Sequence, residues 1–263
     1  MIDKINKRLY HNSIQRAGKR ALLAMVAMGL AAGCASESTK EQQVSQIQQE
    51  YSEIAASMVV DSEDPINRTI DFNKLRETNP EVIGWIYIPE TQIDYPILQS
   101  EDDEKYLTTD LKGNESEAGS IYIEKYNNAD FSDPVTLMYG HTVFGDDEKK
   151  LEAMFSDLHL YENPDFLAAH PYIYIYTPQK TMKFQVFSAV TFDDRYILGN
   201  YQFRDPEDFQ DYLDEIRNTP GAITNMEVPV SQDTKILTLS TCVGLDSPQR
   251  WLVNATQVEE VTK

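Results

Sequence analysis

Three side chains of this chain could together carry out nucleophilic chemistry at a carbonyl. Cys242 closes the apolar run "KILTLSTC", and Arg250 opens the next run, "RWLVNA", eight positions later. Read as neighbouring strands, the two runs put the loop "VGLDSPQ" between a thiol and a guanidinium at its mouth. A nearby cation favours the thiolate, and a planar five-donor group suits the oxyanion that forms when sulfur attacks a carbonyl. Such a nucleophile also needs a proton donor for its leaving group. Of the four histidines, His11 lies in the N-terminal basic segment, His159 follows an expected helix and reads as a surface residue, and His170 precedes Pro171 at the start of a strand. His141 ends "PVTLMYGH" at a strand-to-loop boundary, where functional groups tend to be presented.

The elements that must position these groups are legible as a β-rich chain. Runs of β-branched and aromatic residues recur between turn signals in "VIGWIYIP", "QIDYPIL", "GSIYIEKY", "PVTLMYGH", "PYIYIYTP", "MKFQVFSAVTF", "TKILTLSTC" and "RWLVNATQVEE", which predicts about eight strands. Without regular strand–helix alternation, they argue for a barrel or sandwich. Two helices are expected among them. "DDEKKLEAMFSDL" would place Leu151, Met154, Phe155 and Leu158 on one face. "DPEDFQDYLDEIRNTPG" has Asp205 as N-cap, Pro206 at the first helical position, Gly221 beyond the end, and a stripe of Phe209, Tyr212, Leu213 and Ile216. "DFNKLRETNP" reads as a short helix stopped by Pro80. Upstream, Val44, Ile47, Tyr51, Ile54 and Met58 mark an amphipathic helix over about residues 40–60, expected to dock on its own domain.

The N-terminus reads as an export signal. Lys4, Lys7, Arg8, Arg16, Lys19 and Arg20 stand against Asp3 alone, ahead of "ALLAMVAMGLAAGC". The apolar run from Ala21 to Ala32 is 12 residues, short of the ~20 a membrane-spanning helix needs. "AAGC" resembles the lipobox of bacterial lipoproteins, with Ala31 where Leu is common, and so implies that Cys34 is a lipid anchor; the alternative is an uncleaved signal anchor. Either reading puts the remainder outside the cytoplasmic membrane. The organisation expected is an export signal (1–33), a polar linker with the amphipathic helix (34–64), and a catalytic domain (65–263). The net charge of −20 repels polyanions and excludes nucleic acid as a partner. The acidic runs "EDDE" and "GDDEKK" lack EF-hand spacing and read as solvated surface.

From about Pro65 to the C-terminus the chain resembles the sortases of Gram-positive bacteria, class B specifically. The resemblance rests on "NPEVIGWIYIPETQIDYPILQ", "YLTTD", "GSIYIEKYNN", "LMYGH", "MFSDL", "TLSTC" and the following arginine, in that order. It implies an eight-stranded β-barrel with an extra helix (residues 205–217) before the cysteine-bearing strand, and His141, Cys242 and Arg250 as the catalytic set. It further implies a groove lined by Tyr139, Ser240, Thr241, Asp103 and Leu107, with Asp103 standing where relatives carry Asn. No cofactor or metal is implied. The expected reaction is cleavage of a C-terminal sorting signal after Thr through a thioacyl enzyme, then transfer to an amine of a cell-wall precursor or pilin. The expected partners are surface proteins bearing that signal, the amine acceptor, and the membrane through the N-terminal anchor. A hydrolase releasing the acyl group to water is the nearest rival, but papain-like enzymes place Cys before His in the chain, the reverse of the order here. A ligand-binding lipoprotein is the second rival, and the export signal alone would allow it.

Overall fold

Alternating burial along paired strands builds the architecture. The computed structural model describes residues 39–60, 62–146, 148–245 and 247–263; the export segment and Cys34 lie outside the described residues. Eight strands form the barrel: β1 (Val82–Tyr87), β2 (Asp94–Leu98), β3 (Ile121–Ile123), β4 (Val135–Tyr139), β5 (Tyr172–Tyr176), β6 (Lys180–Phe192), β7 (Ile236–Cys242) and β8 (Arg250–Thr262). Their spatial order is β6-β8-β7-β4-β3-β2-β1-β5, and β5 also pairs with β6, which closes the ring. Closure leaves no barrel edge open to pairing with another chain. The pairs β2–β3 and β4–β7 are parallel; the other pairs around the ring are antiparallel.

Along β7 the residues divide by period two. Leu237 and Leu239 enter the interior with Trp85, Ile97, Phe184 and Val253, whereas Ile236 joins an outer cluster with Val135, Leu137, Phe187 and Leu252. Helix α3 (Pro206–Asn218) covers that outer cluster with Phe209, Tyr212, Leu213 and Ile216. Asp205 caps its N-terminus by accepting from the Glu207 amide at 2.9 Å. Burying four such side chains contributes roughly 6–12 kcal/mol before chain entropy is counted. Helix α1 (Lys40–Met58) begins in a capping box made by Thr39 and Gln42. Val44 and Tyr51 are buried, and Ile47, Ile54 and Met58 pack on the barrel core, so α1 docks on its own domain. Helix α2 (Phe72–Thr78) is capped by Asp71 and ends before Pro80. Among the described residues, no helix is long and apolar enough to cross a membrane.

One expected helix is absent. "DDEKKLEAMFSDL" instead forms a hairpin strand, Lys150–Met154, paired with Thr142–Phe144, followed by a 3₁₀ turn over Ser156–Glu162. Met154, Phe155 and Leu158 are buried as the pattern demanded. Extended backbone buries Met154 instead of a helix face, and a positive φ of 50° at Met154 redirects the chain into the turn.

Candidate active site

The register of β7 against β8 makes Cys242 and Arg250 direct cross-strand partners. Opposed residues of an antiparallel pair point to the same face about 5 Å apart, so thiol and guanidinium share one side of the sheet. The connector folds back tightly, with the Val243 amide donating to the Gln249 carbonyl at 3.3 Å. Arg250 Nη1 makes two long contacts, to the carbonyls of Ser247 (3.4 Å) and Gln249 (3.3 Å). Among the described residues, its Nε and Nη2 have no hydrogen-bond partner.

His141 reaches the same place along a parallel neighbour. Tyr139 of β4 is level with Ser240 of β7, and the Gly140 amide donates to the Ser240 carbonyl at 3.2 Å. The chain therefore leaves β4 beside the end of β7. Gly140 is required here: a Cβ would stand 2.4 Å from Ile121 Cδ1 and 2.8 Å from two ring atoms of Phe155. His141 Nε2 lies 2.8 Å from the Leu107 carbonyl. A carbonyl only accepts, so Nε2 carries the hydrogen and Nδ1 is left for proton exchange.

His141, Cys242 and Arg250 line one cavity of about 470 Å³, together with Leu107, Tyr122, Tyr139, Ser240 and Tyr196. Cys242 is a free, half-buried thiol. Burial raises the phenol pKa values of Tyr122 and Tyr139, and the carboxylates of Asp103 and Glu124 add to it. Tyr196 is pushed up to about 12 by burial and then by Glu124. All three phenols are neutral donors at physiological pH. A second cleft, of about 620 Å³, also includes His141 and is walled by the hairpin after it, by α1, and by Glu50, Asp110, Glu115 and Glu117. Among the described residues, no three His, Cys, Asp or Glu side chains are placed to hold a metal ion.

The groove residues expected from the resemblance divide. Tyr139, Ser240 and Leu107 face the cavity. Thr241 borders it, but its side chain is buried on the opposite face and bonded to the Thr142 hydroxyl at 2.8 Å. Asp103 is not among the lining residues: it accepts from the Lys125 amide at 2.8 Å, bracing the turn behind Tyr122 and Tyr139. The reading of His159 as a surface residue is overturned. It is only 9% exposed, and its Nε2 lies 3.0 Å from the Cys242 carbonyl. The 3₁₀ turn, not a helix, carries it inward. Thr142, Tyr122 and Tyr196 also belong to the site. Thr142, directly after His141, was the one whose place in the sequence could have suggested it.

With this geometry in view, the relatives are informative. The Sortase domain family matches residues 86–258. Sortase B of Listeria monocytogenes is 35% identical over 172 residues, 65% of this chain and 67% of the relative. Sortase B of Staphylococcus aureus is 32% identical over 173 residues, with the same coverage of both chains. The crystal structure of Bacillus anthracis sortase B superposes with a TM-score of 0.68 at 26% identity, covering 84% of this chain and 98% of that one. The closed barrel and the family match together make this chain a member of the sortase family, class B: a cysteine transpeptidase of the kind that anchors proteins to the cell wall.

Proposed function

We propose that this sortase cleaves a C-terminal sorting signal after Thr with Cys242 as nucleophile, and passes the acyl group to an amine of a cell-wall precursor or pilin. The observation that carries this reading is the Cys242–Arg250 register pair with His141 on the same cavity. In the first half-reaction the Cys242 thiol passes its proton to Nδ1 of His141, the thiolate adds to the threonine carbonyl, forming the Sγ–C bond, and Arg250 stabilises the oxyanion. The C–N bond then breaks, and the departing amine takes its proton from His141. In the second half, the acceptor amine gives a proton back to His141, forms the new C–N bond, and releases Sγ.

The second cleft favours transfer over hydrolysis. His141 borders both cavities, so one imidazole can serve a peptide on the Cys242 side and an amine approaching from the other. The four carboxylates of the second cleft, Glu50, Asp110, Glu115 and Glu117, outnumber the two lysines that pair with them, Lys112 with Glu50 and Lys40 with Glu117, so the cleft keeps a net negative wall that draws an amine in. The enzyme works on the outer face of the membrane, tethered through its N-terminal segment; loss of labelling by a palmitate analogue in Cys34→Ala would identify that cysteine as the tether. The deciding experiment supplies a library of sorting-signal peptides with amine acceptors and reads products by mass. Aminolysis products cut after Thr are expected, whereas free acid as the main product despite ample amine would favour the hydrolase.

A further inference from the structure

A buried histidine stands behind the nucleophile, on the opposite side from the substrate cavity. His159 Nδ1 lies 2.5 Å from Glu162 Oε1, and Nε2 lies 3.0 Å from the Cys242 carbonyl and 3.1 Å from Thr142 Oγ1. The ring is stacked on Trp251, with centroids 6.1 Å apart and planes at 17°. Trp251 is itself fixed by its indole N–H donating to the Leu158 carbonyl at 2.9 Å. The Thr142 hydroxyl lies 2.8 Å from the Cys242 carbonyl and 2.8 Å from Thr241 Oγ1. The last carbonyl of β7 is thus gripped by two side chains.

Glu162 only accepts, so Nδ1 carries a hydrogen and donates to it. At Nε2 two oxygens are within reach: the Cys242 carbonyl, which only accepts, and the Thr142 hydroxyl, which donates or accepts. Ring and hydroxyl together close on the Cys242 carbonyl from the core side. Glu162 is a carboxylate: burial alone would raise its pKa, but the hydrogen bond from His159 and the charge of Lys150, 3.3 Å away, hold it below the usual range. The charged groups facing the ring are therefore Glu162 from its own turn, with Lys150 of the hairpin behind that carboxylate. Asp157, in the same turn, is engaged by the Gln92 amide at 2.7 Å.

We infer that His159 is a positioning residue for the transpeptidase reaction: held by Glu162 and seated against Thr142, it fixes the Cys242 backbone behind the thiol. The inference rests on Cys242 being the nucleophile. Arg250 acts from the substrate side, and His159 holds the peptide group from the core side. Loss of the grip lets the end of β7 shift, and misplacement of a reacting atom by an ångström costs on the order of 10²-fold.

The test uses the full chain and four proteins: wild type, His159→Gln, His159→Leu and Cys242→Ala. Gln keeps a donor for the Cys242 carbonyl; Leu keeps none. Peptide acylation is resolved into kcat and KM, alongside thermal midpoint. His159→Gln should acylate roughly 10-fold more slowly and His159→Leu roughly 10²-fold, with the loss in kcat and little change in KM. A structural role alone would lower the thermal midpoint and leave kcat of the folded protein in place. Acylation by folded His159→Leu within about twofold of wild type overturns the inference. Because the variants could fail to fold, a second readout uses wild type: ¹⁵N NMR of labelled histidine should show Nδ1 of His159 carrying the hydrogen given to Glu162, and a bare Nδ1 overturns the inference. Turnover retained by Cys242→Ala would instead remove the nucleophile assignment, which the NMR result does not touch.

Discussion

Replacing Arg250 separates charge from geometry at the oxyanion. The side chain sits directly across from Cys242, lines the cavity, and among the described residues is held by two carbonyl contacts of 3.3 and 3.4 Å. Most of its donor capacity is therefore directed elsewhere than at the protein. Removing one oxyanion donor costs on the order of 10²-fold to 10³-fold in turnover, about 2.7–4 kcal/mol, which is the loss expected for Arg250→Ala. Lys keeps the charge but loses the fork. If the ammonium sits at about 6 Å where the guanidinium sat at about 4 Å, the attraction at an effective dielectric of ~20 falls from about 4 to about 3 kcal/mol. Arg250→Lys should then acylate about tenfold more slowly than wild type, an order of magnitude or more faster than Ala. The assay is the pre-steady-state rate of acylation by a sorting-signal peptide, with the thermal midpoint measured in parallel. Equal rates in Lys and Ala would show that charge contributes nothing, and near-normal rates in both would remove Arg250 from the reaction.

Other perturbations probe the scaffold around the site. Gly140→Ala drives a Cβ against Ile121 and the buried Phe155 ring, so it should cost about 1–3 kcal/mol; turnover should fall further than the loss of folded protein, because the backbone that yields carries His141. Tyr212→Phe removes a hydroxyl 2.9 Å from Thr238 Oγ1, but Thr238 still bonds Asn254 at 2.8 Å; the cost should be about 1 kcal/mol, read as a fall of ~2–4 °C in thermal midpoint with unchanged turnover. Glu124 is 2% exposed, and burial followed by repulsion from Asp103 raises its carboxyl pKa. A carboxyl raised by folding destabilises the protein when ionised and is relieved as pH falls through its folded value, so Glu124→Gln should raise the thermal midpoint at pH 7 and lose that advantage on acidification. An equal fall at both pH values would contradict the sign.

The barrel was legible because its strands repeat with period two between prolines and turn residues, and all eight expected runs contain the observed strands or most of them. Helix α3 was equally legible, since cap, first-turn Pro and stripe agreed. The site was legible where a loop joins two consecutive strands, as between Cys242 and Arg250, because a short connector forces the register. It failed where contacts cross the chain. Leu151, Met154, Phe155 and Leu158 fit a helical period, yet pairing of Thr142 with Met154 makes the segment a hairpin. Once that segment was read as a helix, nothing in "SDLHLYE" pointed His159 toward a residue 83 positions later. Asp103 and Thr241 were placed by resemblance alone, and their side chains bond to Lys125 and Thr142 in preference to the cavity.

The central claim is that Cys242 forms the thioacyl bond and that His141 supplies the proton for the leaving amine. Intact-mass spectrometry of the protein quenched during turnover of a sorting-signal peptide tests it most directly. Wild type should carry an adduct equal in mass to the acyl fragment ending in Thr, mapped by fragmentation to Cys242 and chased by added amine. Cys242→Ala should carry none, and His141→Ala should accumulate little and turn over almost nothing. An adduct on any other residue, or more than a few per cent of turnover in Cys242→Ala, would contradict the account.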